Sequence, residues 1–229
     1  MPRSDVILER NMKIIDMAQW PRKEAFELFS TYESPHFNVC VSLDITNTFG
    51  FLEEHRISKF NAMLWMISCA ANSVAEIRCR IRENRVVEHD AVHPSFTFLN
   101  PDQSLSFCYA DYSDDIAAFF QRVAQGIERV KAEPSLKDEP GKDDMIFVSC
   151  VPWINFTSIS HPMKLGNQDS FPRISWGKFT PQGQGRDQRM TMPVSLQLHH
   201  GLADGYHAGL FFEKLESLLE NPEALSWPV

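Results

Sequence analysis

His199 and His200 stand side by side at the end of an apolar run, within residues 193–212, PVSLQLHHGLADGYHAGLFF. Gly201 follows at once, and Asp204-Gly205 comes before a new apolar stretch. Imidazole changes protonation near neutral pH, so it is the side chain best suited to taking a proton from a reacting group. Successive side chains of a strand point to opposite faces, so at most one of the two histidines serves as a base. Strand ends beside loops aim functional groups into clefts, because a rigid element fixes their direction. Asp204-Gly205 is also a plain turn or helix N-cap signal. A zinc site of His199, His200, Asp204 and His207 is the rival chemistry. It lacks the HExxH spacing and a cysteine pair, and no metal is expected.

Two further candidates lie upstream. Ser149 opens the segment Ser149-Cys150-Val151-Pro152-Trp153, with Asn155-Phe156 close behind. Alone, it reads as an ordinary strand serine. Arg22, after Trp20-Pro21, reads alone as a solvated helix residue.

The elements that must position these groups are readable from periodicity. A short helix is expected over 16–29, with Pro21 at an early position, and a strand over 37–46. Residues 57–81 carry Ile57, Phe60, Leu64, Ile67, Ala71 and Val74 at three- and four-residue steps, which predicts one long helix. Strands are expected over 85–89, 95–99 and 104–109. A second helix follows from a Ser113 N-cap, burying Ile116, Phe119, Val123, Ile127 and Val130. Residues 133–144, rich in charge and proline, predict a surface loop. Strands are then expected over 145–151, 155–159, 174–179 and 192–198, with 180–189 as a hairpin loop. A last helix from about Tyr206 ends before Asn221-Pro222, with Leu210, Leu215, Leu218 and Leu219 for packing. Strands and helices mixed without strict alternation predict an α/β fold, a mixed sheet flanked by helices, and a single domain over 1–229.

Charge narrows the partners. A net charge of -8, from 22 basic and 30 acidic residues, argues against nucleic acid, which needs a concentrated basic face. A few placed cations still suffice for one anionic co-substrate. The cysteines, Cys40, Cys69, Cys79, Cys108 and Cys150, are odd in number and form no CxxC pair, so buried reduced thiols are expected. The start, MPRSDVILERNMKII, lacks a signal-peptide pattern, and no apolar run reaches the ~18 residues of a membrane span. A soluble, cytoplasmic protein is expected.

The run HHGLADGYH resembles the HHxxxDGxH signature of the chloramphenicol acetyltransferase family. Ser149 to Phe156 resembles the family's S-x-x-P-W-x-N-F segment, and DSFPRISWGKF, 169–179, its D-x-F-x-P-x-x-T-x-G-K-Y stretch. WPRKEAFELF, 20–29, is similar to its entrance helix, Asp44-Ile45-Thr46 to its D-[IV]-T strand, and His93-Pro94-Ser95-Phe96-Thr97 to its middle element. These matches run in order from about Trp20 to Leu215.

The resemblance implies a coenzyme A-dependent acyltransferase fold and direct acetyl transfer from acetyl-CoA, as co-substrate, to a hydroxyl of chloramphenicol. It implies His200 as general base, Ser149 as hydrogen-bond donor to the oxyanion, and an Asp204–Arg22 pair that holds the histidine loop. Ser175 stands at the family's Thr and is implied to anchor a water. Leu28 and Phe29 are implied at the acceptor, and Lys178 and Phe179 at coenzyme A. The family's sites lie between subunits of a homotrimer. Phe29 and Phe179 each replace a family Tyr, and Phe147 stands where some members have Asn. A related acyltransferase with another hydroxyl or amine acceptor, and a catalytically silent trimeric binding protein, remain as alternatives. The dihydrolipoyl acyltransferases share HxxxDG, but carry Arg where this chain has Gly201.

Overall fold

The computed structural model describes residues 11–137, 141–164 and 169–228. In order these form β1 (Met12–Ile14), α1 (Lys23–Phe29), β2 (His36–Asp44), α2 (Thr46–Glu54), α3 (Lys59–Asn72), β3 (Cys79–Arg82), β4 (Arg85–His89), β5 (His93–Leu99) and β6 (Leu105–Tyr109). Then come α4 (Ile116–Ala132), β7 (Met145–Val151), β8 (Arg173–Gly177), β9 (Thr180–Gln182), β10 (Arg189–His199) and α5 (Gly205–Glu220). The expected N-terminal absence of a signal pattern falls largely on residues outside the described ones, as does part of the expected loop 133–144.

Seven strands make the main sheet, in the order β2-β10-β8-β7-β5-β6, with β9 paired to β10. The β5–β7 and β7–β8 pairs are parallel and the others antiparallel, so the sheet is mixed. Along β10, Met192, Val194, Leu196 and Leu198 are buried in one large core with residues of α2, α3, α4 and α5. That alternation sends Ser195, Gln197 and His199 to the opposite face. The side chains of β7 and β8 divide the same way, with Val148, Ile174 and Trp176 in the core. The helices thus cover one face, and the polar residues line the other.

Several boundaries differ from expectation for physical reasons. The long helix 57–81 stops at Asn72; a 3₁₀ turn (Ala75–Arg78) leads into β3. There Cys79 and Ile81 alternate with Arg80 and Arg82, a period of two that pairing with β4 exploits. Arg80 is buried and donates to the carbonyls of Asp143 (2.8 Å), Ile77 (2.9 Å), Cys79 and Met145, while Arg82 clasps the Asp143 carboxylate. Strand β2 ends at Asp44, whose carboxylate accepts from the Thr46 amide (2.9 Å) and hydroxyl (2.6 Å) and starts the unforeseen α2. The expected helix 16–29 is reduced to α1. Asp115, not Ser113, caps α4, accepting from the Ala118 amide at 3.1 Å.

Residues 155–159 form no strand: Pro152 follows β7, both edges of which are already paired, and the chain crosses the polar face of the sheet instead. The expected hairpin loop contributes β9 at its start. A small sheet, β1-β4-β3, was not anticipated either. Cys79 and Cys108 are buried, as expected, whereas Cys40, Cys69 and Cys150 are half-buried. No helix among the described residues is long and apolar enough to cross a membrane.

Candidate functional site

Strand β10 ends at His199, and the chain turns back sharply: the amides of Leu202 and Ala203 both donate to the His199 carbonyl, at 2.9 and 3.1 Å. Gly201 makes the turn possible. A Cβ there would lie 3.0 Å from the His199 ring and 3.3 Å from the Phe26 Cα, because α1 passes directly against it. The two histidine rings part to opposite sides, as strand alternation requires. His199 is buried, edge-on to His36 at 5.1 Å.

His200 is half-buried and sandwiched by aromatic rings. Phe29 stacks on it at 4.1 Å with planes 6° apart, and Phe37 lies tilted at 4.8 Å. Its amide donates to the Pro35 carbonyl at 2.7 Å. Its carbonyl accepts from the Arg22 guanidinium at 3.0 Å. Nδ1 is buried without a hydrogen-bond partner, which leaves Nε2 for proton transfer.

The same guanidinium binds Asp204 at 2.5 Å. Asp204 is also the N-cap of α5, accepting from the Tyr206 amide at 3.0 Å, with His207 Nδ1 2.8 Å from its carboxylate. Partial burial raises the Asp204 carboxyl, but Arg22 and His207 outweigh this and hold it down at about 2. Arg22, Asp204, Phe29 and His200 are therefore one unit. Leu28 sits on the same helix, exposed.

Ser149 and Ser175 form a second group. They are register partners on β7 and β8, and Ser175 in turn pairs with Ser195 on β10. The Ser149 hydroxyl lies 3.5 Å from that of Thr97. Ser175 is fully buried, and its hydroxyl is hydrogen-bonded to His161 Nε2 at 2.9 Å. Ser149, Thr97 and His161 border a cleft of about 960 Å³, whose apolar walls include Phe107, Met145, Phe147 and Phe171, while Ser175 lies beneath its surface. Its floor is closed by Arg173, which donates twice to Asp169, at 3.0 and 2.8 Å. Burial raises the Asp169 carboxyl, and the Arg173 hydrogen bonds more than offset this, so it stays below its ordinary value.

Lys178 and Phe179 form a third group, beyond the other end of β8. Lys178 is exposed and its amide donates to the Ile154 carbonyl at 2.9 Å. Phe179 meets Phe49 of α2 edge-on at 6.2 Å.

Within one chain these groups do not converge. Ser149 is two strands from β10 and level with Ser195, five residues before His200. At ~4.8 Å per strand and ~3.4 Å per residue, His200 and Ser149 are separated by on the order of 20 Å. His161, Phe37 and the Arg173–Asp169 pair were not anticipated. Phe37 was marked only as a strand residue, and a lone histidine in an irregular segment has no periodicity to betray it.

A "Chloramphenicol acetyltransferase" from Proteus mirabilis is 28% identical over 204 residues, covering 89% of this chain and 92% of that protein. A solved structure described as "chloramphenicol acetyltransferase" superposes with a TM-score of 0.78 at 25% identity, over 91% of this chain and 99% of the other. The cubic core of the pyruvate dehydrogenase multienzyme complex, at 17% identity and a TM-score of 0.66, covers 98% of both chains and shares the fold alone. The family model for chloramphenicol acetyltransferase matches residues 10–216, nearly the whole path from β1 through α5. This chain belongs to the chloramphenicol acetyltransferase family.

Proposed function

We propose that this chain transfers the acetyl group of acetyl-CoA to a hydroxyl of chloramphenicol, and so confers resistance to it. What carries the proposal is His200, a base candidate whose ring is stacked on Phe29 and whose carbonyl is held by Arg22. His200 Nε2 takes the proton of the acceptor hydroxyl as that oxygen attacks the thioester carbonyl. Charge gathers on the carbonyl oxygen, where the Ser149 hydroxyl donates to it; such a donor contributes ~2.7–4 kcal/mol to the transition state. The intermediate collapses, the C–S bond breaks, and the imidazolium returns the proton to the departing thiolate. No acyl-enzyme forms.

The separation of Ser149 from His200 supports a site shared between copies: His200 of one subunit serves the Ser149 cleft of the next, in a homotrimer. In this arrangement Leu28 and Phe29 border the acceptor, Ser175 sits beside the reacting centre, and Lys178 with Phe179 meets coenzyme A. We take residues 1–229 as a single acyltransferase domain acting in the cytoplasm, where acetyl-CoA is found.

The test is a thiol-release assay with acetyl-CoA and chloramphenicol. Free CoA should appear in step with acetylated chloramphenicol, and His200→Ala should abolish it. CoA release no faster than thioester hydrolysis overturns the assignment.

A further inference from the structure

His200 is gripped from a second side, away from the Arg22 fork. The Pro35 carbonyl accepts its amide hydrogen at 2.7 Å, and the Phe37 ring lies 4.8 Å from its own. These residues stand at the very start of β2, the edge of the main sheet, which the chain enters through exposed residues 31–34. The end of an edge strand opens easily, because few contacts hold it. Between Pro35 and Phe37 stands His36, half-buried, with its Nε2 2.6 Å from the Asp169 carbonyl. A carbonyl can only accept, so Nε2 carries the hydrogen and donates it. Burial is the largest influence on the His36 ring and lowers its pKa, so the ring is neutral at physiological pH. The acceptor of this bond is itself fixed. The Asp169 carboxylate accepts from Arg173 and from the Lys164 amide at 2.9 Å. Ser170, the next residue, accepts at Oγ from the Ile81 amide of β3 at 3.0 Å.

We propose that His36 is a positioning residue for His200: its hydrogen bond to Asp169 pins the start of β2, so that Pro35 and Phe37 hold the histidine's amide and ring. His36 acts through its two neighbours in the chain. Its effect on turnover rests on the proposed role of His200 as the base. A small displacement of such a group is costly to the rate and leaves the binding of the co-substrate alone.

The experiment compares wild type, His36→Phe and His36→Gln by CoA release, by Tm and by hydrogen exchange of the amides of residues 199–203. His36→Phe keeps a ring beside His199 and loses the donor. It should lower kcat about 10-fold and leave the acetyl-CoA KM within about twofold. It should also speed exchange at the His200 amide about 5-fold, the span of one net hydrogen bond. His36→Gln, whose amide reaches the Nε2 position, should bring both values back to within about threefold of wild type. Should His36→Phe fail to fold, His36→Asn, too short to reach the carbonyl, must show the same pattern. A lower Tm with kcat and His200 exchange unchanged makes His36 a purely structural residue and overturns the inference. So does a loss that His36→Gln leaves unrepaired. Absence of wild-type turnover with chloramphenicol overturns the functional proposal instead, and the exchange measurement then decides the positioning by itself.

Discussion

Arg22 and His200 are 178 positions apart in the chain, yet one guanidinium joins them, donating to the His200 carbonyl at 3.0 Å and to Asp204 at 2.5 Å. The fork thus fixes both ends of the turn that carries the histidine. Arg22 sits immediately before α1, and Phe29, at the end of that helix, stacks on the His200 ring. The segment from Arg22 to Phe29 thus holds both the His200 carbonyl and one face of its ring.

Lysine at this position keeps the charge and loses the planar fork. Arg22→Lys is expected to lower kcat about 10-fold and Arg22→Ala about 100-fold, since small displacements of a catalytic group are costly. The acetyl-CoA KM should stay within about twofold. Steady-state CoA release checks both numbers.

Asp204 predicts a pH dependence of stability. Its carboxyl falls from the ordinary 3.8 to about 2 in the folded chain. A depressed folded value means stabilisation that is complete above the unfolded value and is lost as pH falls through the folded one. The difference in Tm between wild type and Asp204→Asn should therefore be equal at about pH 7 and about pH 5, and clearly smaller at about pH 3. A difference that shrinks between the two higher values would assign the effect to another group.

The turn at Gly201 makes a steric prediction. An added methyl group meets the His199 ring and the backbone of α1 at once. Overpacking of this kind costs about 1–3 kcal/mol. Gly201→Ala should lower Tm and, because α1 carries Arg22 and Phe29, should reduce kcat about 10-fold or more. Circular dichroism melts and CoA release together measure it. A loss of Tm with unchanged kcat would separate α1 from the positioning of His200.

Much of this architecture is legible in the sequence where burial is periodic. The run Met192 to Leu198 alternates because one face of β10 is core, and α4 shows its stripe because one side faces the sheet. Residues 46–54 are opaque for the converse reason. Thr46, Thr48 and Gly50 are poor helix formers, and α2 is fixed from outside, by Thr48 donating to the Leu219 carbonyl at 2.6 Å and Asn47 to that of Glu220 at 3.0 Å. The Arg22–Asp204 pair was legible only through family resemblance, since nothing local ties residues so far apart. The His161–Ser175 contact had no signal at all: it depends on how an irregular segment lies across the sheet. The distance from Ser149 to His200 needed the strand register.

That distance leads to a complementation test. If His200 acts on the Ser149 cleft of a neighbouring subunit, a site needs each residue from a different chain. Ser149→Ala and His200→Ala enzymes should each lose activity, by about 100-fold or more for the serine. Trimers mixed from the two variants regain one intact site of three, with His200 from the serine variant and Ser149 from the histidine variant. Random mixing puts three-quarters of trimers in that state, so about one quarter of wild-type activity should return. Co-expression of the two variants, with separately purified variants mixed without subunit exchange as control, reads this directly. Recovery near a quarter supports the shared site. No recovery in trimers proven to be mixed by mass spectrometry would require His200 and Ser149 to act within one chain, against a register that holds them on the order of 20 Å apart.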